Sequence, residues 1–172
     1  AAASGDRLLF VDADTLVSRT VIDAAMLALD GGAAGGSTAV RFARPLPLHV
    51  RMLESASIGL FRVFKVTPGC FIFCTRQLFD AIGGFDQGLY VAEDVAFGRA
   101  LAKRGRLAIL REPVTTSARK MRTYSLGEKL RFTLRFLLSP RRVARTRDAL
   151  PLWYGPRRHE APPARRPDTP PD

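Results

Sequence analysis

The run Arg7-Leu8-Leu9-Phe10-Val11, closed at once by Asp12-Ala13-Asp14, constrains this chain more than any other feature. Four consecutive apolar side chains suit a strand buried on both faces, and such strands belong to sheets covered by helices. An apolar strand that stops at two carboxylates delivers them to the edge of the sheet where ligands bind in open α/β folds. Asp12 and Asp14, one residue apart, can address a single hard cation such as Mg²⁺ or Mn²⁺ and, through it, phosphate oxygens. The same pair also fits a turn, or a cap for the helix that follows.

Beyond the carboxylates, Ser18 is placed to cap a helix over residues 19–29, in which Val21, Ile22, Ala25, Met26 and Leu29 recur at helical spacing. Gly31, Gly32, Gly35 and Gly36 end it. Residues 38–42 read as a short strand, 48–64 as a helix behind Pro45 and Pro47, and 69–75 (GCFIFCT) as a second buried strand. A short helix over 76–82 leads through a Gly83-Gly84 turn to Phe85-Asp86. Glu93 and Asp94 open a helix over 93–104 that finishes in Lys103-Arg104, the charge order a helix dipole favours. Strands are expected at 106–110 and 114–116, then an amphipathic helix over 126–138. Leu126, Leu130, Leu134, Leu137 and Leu138 run along its apolar side, with Lys129, Arg131 and Arg135 elsewhere around it. The pattern predicts an α/β fold with a mostly parallel sheet flanked by helices, in which the strands ending at Val11, near Thr75 and near Leu110 lie together.

At 172 residues, 47% apolar and 25% charged, the chain suits one folded domain and not general disorder. The expected boundaries are a catalytic portion over 1–122, a basic helical segment over 123–154 and a disordered Pro/Arg-rich tail over 155–172. Of the net charge of +11, residues 1–110 carry +2 and residues 111–172 carry +9. That asymmetry fits an anionic partner, and residues 126–147 would supply peripheral contact with a membrane surface; no motif supports specific nucleic-acid recognition. Cys70 and Cys74 would lie roughly 13 Å apart on one face of a strand, too far to bridge, as suits a reducing compartment. The expected location is the cytoplasm, with peripheral contact at the cytoplasmic face of the membrane.

The second acidic cluster stands in GGFDQGLYVAEDVAFGRALAKRG. Together with GDRLLFVDADTLV it resembles the family 2 inverting glycosyltransferases of the GT-A fold, over about residues 4–120. The resemblance implies that Asp12 and Asp14 bind Mg²⁺ or Mn²⁺ and the diphosphate of a nucleotide-sugar donor, Asp14 being the more direct ligand. It implies Asp94 as general base beside Glu93, with Gly84, Phe85 and Asp86 on the acceptor side and Gly69 against the donor sugar. The segment Thr116-Ser117-Ala118-Arg119-Lys120 is similar to a Thr-Ser-x-Arg-Arg segment of one bacterial branch, which puts Arg119 and Lys120 near a diphosphate or an anionic acceptor. The implied partners are a nucleotide-sugar donor and a sugar or lipid-linked acceptor, including one of the cell envelope.

Two departures qualify the likeness. The family's first strand-helix-strand unit, which holds the nucleotide base, has no counterpart before Ser4, so the expectation is a partial fold that is inactive alone. The Q-x-x-R-W motif of processive synthases is absent as well. Two other readings stay open. A haloacid-dehalogenase-like phosphohydrolase also carries D-x-D after a buried strand, but its pattern needs Thr where Leu16 stands. A non-catalytic remnant would bind an anionic membrane surface and transfer nothing.

Overall fold

The computed structural model describes residues 3–43, 67, 69–117, 127, 131, 134, 135 and 138–146. Among them the elements run β1 (Arg7–Val11), β2 (Thr15–Leu16), α1 (Arg19–Asp30), β3 (Gly35–Phe42), β4 (Phe71–Thr75), α2 (Arg76–Ile82), α3 (Glu93–Ala102), β5 (Leu107–Thr116) and α4 (Pro140–Arg145). The expected helix over 48–64, the residues Arg119, Lys120, Leu126, Leu130 and Leu137, and the tail lie outside the described residues.

The described strands form one sheet in the order β1-β4-β3-β5-β2, so the strands ending at Val11, at Thr75 and beyond Leu110 do share a sheet. Their directions correct the expectation. β4 is antiparallel to both β1 and β3, and β2 is antiparallel to β5, leaving β3 and β5 as the parallel pair. The sheet is mixed and mostly antiparallel, not mostly parallel. A strand covered on both faces reads as an unbroken apolar run whichever way it points, so its pattern carried no direction.

β4 shows that coverage. Phe71 and Phe73 pack with Val21, Ala25 and Leu29 of α1 and with Leu110 and Val114 of β5. Ile72 and Cys74, on the opposite face, pack with Leu8 of β1, Phe97 and Leu101 of α3 and Leu107 of β5. Each fully buried side chain of this kind contributes about 1.5–3 kcal/mol. β1 departs from the expected two-sided burial: among the described residues it is an edge strand in which Leu8 alone is buried, and its last residue, Val11, is 46% exposed.

Ser18 caps α1 as expected, its hydroxyl accepting from the Val21 amide at 3.4 Å. Gly35 and Gly36, read as part of the helix stop, instead begin β3. A Cβ on Gly35 would stand 2.5 Å from the Phe73 carbonyl oxygen, and one on Gly36 would overlap the Ala108 carbonyl, so the strands pack there only because both residues lack side chains. The two strands expected at 106–110 and 114–116 are one strand, β5, with an irregularity: Thr38 pairs with Leu110 and Val40 with Val114. The Thr38 hydroxyl donates to the Glu112 carbonyl inside the extra length, which satisfies a group that the ladder leaves over. α3 stops at Ala102, short of the expected 104.

Cys74 is buried in β4, whereas Cys70 precedes the strand in a turn, so the two do not share a strand face as expected; both are free thiols. The described residues 127, 131, 134, 135 and 138 are helical. Leu134 and Leu138, on the expected apolar side, are 51% and 83% exposed. α4 was not anticipated; Pro140 starts it, as suits a first helical position, and Val143 and Ala144 are buried. No helix among the described residues is long and apolar enough to cross a membrane.

Candidate functional site

The end of β1, the turn before β4 and the start of α3 enclose a cavity of about 760 Å³. Asp12, Gly69, Cys70, Phe85, Tyr90, Glu93 and Asp94 line it, with Leu9, Phe10, Val11, Val91 and Ala92. The structure thus brings Asp12, Gly69, Phe85, Glu93 and Asp94 together. Asp14, Gly84 and Asp86 do not line the cavity.

Asp12 is fixed from its backbone. Its amide donates to the Cys70 carbonyl at 3.2 Å, and its own carbonyl accepts from the Thr15 amide at 3.0 Å, which closes a tight turn over 12–15. That turn carries the chain away into β2. Asp14 consequently sits toward β5, where the Thr116 hydroxyl donates to its Oδ1 at 3.4 Å and accepts from the Thr15 hydroxyl at 3.0 Å.

The acidic pair is aimed by an unusual backbone. Ala92, just ahead of α3, is the non-glycine residue with positive φ among those described (φ 63°, ψ 19°), and no side chain caps the helix there. An L-residue in this left-handed conformation costs about 1–2 kcal/mol, tolerated where the surroundings fix it. The Ala92 carbonyl then accepts from the Ala96 amide at 2.9 Å, closing the first turn and leaving Glu93 and Asp94 at the helix's positive end. Asp94 lies against Gly69 so closely that a Cβ there would stand 2.7 Å from its Oδ2 and 3.1 Å from its Cβ. The buried Thr67 hydroxyl donates to the Asp94 carbonyl at 2.9 Å, and Thr67 fits only because position 98 of α3 is glycine.

Burial raises the pKa of Asp94, and the nearby charges of Glu93 and Asp12 add to the rise; the Val95 amide, donating to Oδ1 at 2.8 Å, offsets part of it. Burial also pushes the Cys70 thiol up to about 12, helped by Asp12, so it stays protonated at neutral pH and is no nucleophile. Glu93 Oε2 is buried with no hydrogen-bond partner among the described residues. Phe85 both lines the cavity and packs in a ring cluster, 4.6 Å from Phe97 and 5.0 Å from Phe10 between centroids. Gly84, at φ 75°, and Asp86, whose Oδ1 accepts from the Gly88 amide at 2.8 Å, shape the loop behind it.

No group of three or more His, Cys, Asp or Glu among the described residues is arranged as a complete metal-ligand set. Magnesium and similar hard cations do not need one, since they are commonly held by one or two carboxylates plus phosphate oxygens and water. The oxygen donors here fit that mode: Asp12 in the cavity and the unpartnered Glu93 Oε2 beside it.

Sequence reasoning missed the parts played by Thr67, Tyr90 and Ala92, and the bond that the Cys70 carbonyl accepts from the Asp12 amide. One signal was available: Gly98 inside a helix is locally unfavourable and marks a close approach by another group. Nothing local marked the other contacts. No family model, curated protein or solved structure matches this chain.

Proposed function

We propose that this cavity is the active site of an inverting glycosyltransferase, which moves a sugar from a nucleotide-sugar donor to a hydroxyl of a sugar or lipid-linked acceptor. The observation that carries the reading is the convergence of Asp12, at the end of an apolar strand, with Glu93 and Asp94, at the start of a helix, in one cavity. Asp94 suits the general base. Burial strengthens its hold on a proton, and the Val95 amide occupies Oδ1, leaving Oδ2, against Gly69, as the basic oxygen. The acceptor oxygen bonds to the anomeric carbon as its proton passes to Asp94 and the bond from that carbon to the diphosphate breaks. Attack from the face opposite the leaving group inverts the centre.

Charge supports the same reading. None of the described lining residues is Lys, Arg or His, so among them nothing offsets the charge of a diphosphate beside Asp12, and a bound cation would do so. Asp12, with the Glu93 carboxylate that lines the same cavity, would hold Mg²⁺ or Mn²⁺, which when bound neutralises charge on a departing nucleoside diphosphate. Gly69 gives donor and base room to meet, and Phe85 offers an apolar wall for the acceptor.

The test is transfer by the full-length protein with a panel of nucleotide sugars and Mn²⁺. Asp94→Asn should lower transfer by about 10²–10⁴-fold while leaving donor affinity, measured by calorimetry, unchanged. Asp12→Asn should weaken donor binding itself. Wild-type transfer by Asp94→Asn at saturating donor and metal would refute the assignment. Phosphate release from simple phosphomonoesters, without any sugar nucleotide, would favour a phosphohydrolase.

A further inference from the structure

Seven basic and no acidic residues occupy positions 129–147, the densest block of like charge in the chain. The described part of this block places its side chains in a definite pattern. Residues 131, 134, 135 and 138 are helical, and at about 100° per residue they fall within roughly a 100° sector of one helix face. Arg131, Leu134, Arg135 and Leu138 are all exposed on it. The chain bends at Ser139 (φ −146°, ψ 60°) into α4; the Ser139 amide donates to the Arg135 carbonyl and the Val143 amide to the Ser139 carbonyl, each at 3.0 Å. There Arg142 and Arg145, three residues apart, are exposed as well, while Val143 and Ala144 between them are buried. None of these four arginines forms an ion pair with another described residue.

We propose that the exposed surface made by Arg131, Leu134, Arg135 and Leu138 on one helix face, followed by Arg142 and Arg145 of α4, docks on an anionic phospholipid surface. Charge and apolarity select this occupant together. Arginines alone would suit any phosphate-rich partner, but leucines exposed among them would stay in water against a nucleic-acid backbone. At a bilayer they enter the boundary between headgroups and acyl chains, while the guanidinium groups meet lipid phosphates at the level above. The docked face is also tied to the cavity: the Ala144 carbonyl of α4 accepts from the amide of Tyr90, a residue of the cavity wall, at 2.7 Å. Docking would therefore hold that wall near the membrane, where an acceptor with a lipid anchor is found. The surface itself stands independently of the transferase reading.

The experiment is flotation of the full chain with two vesicle types, phosphatidylcholine alone and an equal mixture of phosphatidylcholine and phosphatidylglycerol. Flotation is expected with the mixture only, weakening as salt is raised. The double variant Arg142→Gln with Arg145→Gln should lower partitioning about thirty-fold. Leu134→Ser with Leu138→Ser should remove the part of the binding that survives high salt. All six positions are exposed, so the variants should keep the wild-type circular dichroism, and that spectrum is the check on folding. Absence of flotation, equal flotation with both vesicle types, or unchanged partitioning of either variant would overturn the proposal. So would binding to duplex DNA or RNA that is tighter than to vesicles and indifferent to the leucine changes. None of these readouts involves sugar transfer, so this proposal can fail while the cavity's assignment survives, and the reverse.

Discussion

Burial raises the pKa of Asp94 above its ordinary 3.8, so the fold favours its protonated form. By linkage that preference stabilises the folded state fully below 3.8 and is lost as pH climbs through the raised value; above it, the ionised carboxylate opposes folding. Asp94→Asn removes the ionised form and should therefore be more stable than wild type in urea at neutral pH, with the difference closing as the pH falls below 3.8. A variant less stable than wild type at neutral pH would show that Asp94 is held by partners that favour its charge. Stability rising when a residue is neutralised is the signature of a group kept for chemistry. At this scale the acids were legible in the sequence, because Asp12, Glu93 and Asp94 each sit where an apolar element begins or ends. Thr67 and Cys70 were not: a hydroxyl that supports the Asp94 carbonyl and a carbonyl that receives the Asp12 amide are defined only by residues distant in sequence.

The elements repeat that division between local and tertiary information. α1 with its Ser18 cap, α2 with the Gly83-Gly84 turn, and the burial of β4 follow from periodicity and capping chemistry within a few residues; the two-sided burial expected of β1 does not hold. Strand direction does not, nor does the extra length in β5 that the Thr38 hydroxyl fills, nor the use of Gly35 and Gly36 as strand residues under neighbouring carbonyls. The start of α3 offers the sharpest test. Ala92 holds φ 63°, which glycine adopts freely and a β-branched residue resists. Ala92→Gly should raise stability by about 0.5–1 kcal/mol, the left-handed penalty of alanine less the added chain entropy of glycine. Ala92→Val should lower it by about 1–2 kcal/mol or more. Paired urea titrations check both, and equal stabilities for the two variants would mean that the segment ahead of Glu93 relaxes out of the left-handed region.

Across the whole molecule, charge and chemistry are divided: the cavity lies within the nearly neutral first 110 residues, and the positive charge follows it in the chain. The bond from the Tyr90 amide to the Ala144 carbonyl joins the two, so the basic segment meets the loop that leads into Glu93 and Asp94. Among the described residues the packing behind that bond rests on Val143 at 4% exposure and Ala144 at 6%, compared with the two-sided core around β4. An unpaired carboxylate placed there cannot be accommodated cheaply, and the easier response is for α4 to leave while the sheet stays intact. Val143→Asp should therefore speed hydrogen exchange at the Tyr90 amide, because its acceptor departs with α4. The amides of Phe71–Thr75, bonded in the middle of the sheet, should keep wild-type protection. Exchange measured residue by residue distinguishes the outcomes: faster exchange at Tyr90 alone shows α4 as a separately releasable brace on the cavity wall. Loss of protection throughout β4 would show that α4 belongs to the same cooperative unit as the sheet, and unchanged exchange at Tyr90 would show that the brace does not hold that amide in solution.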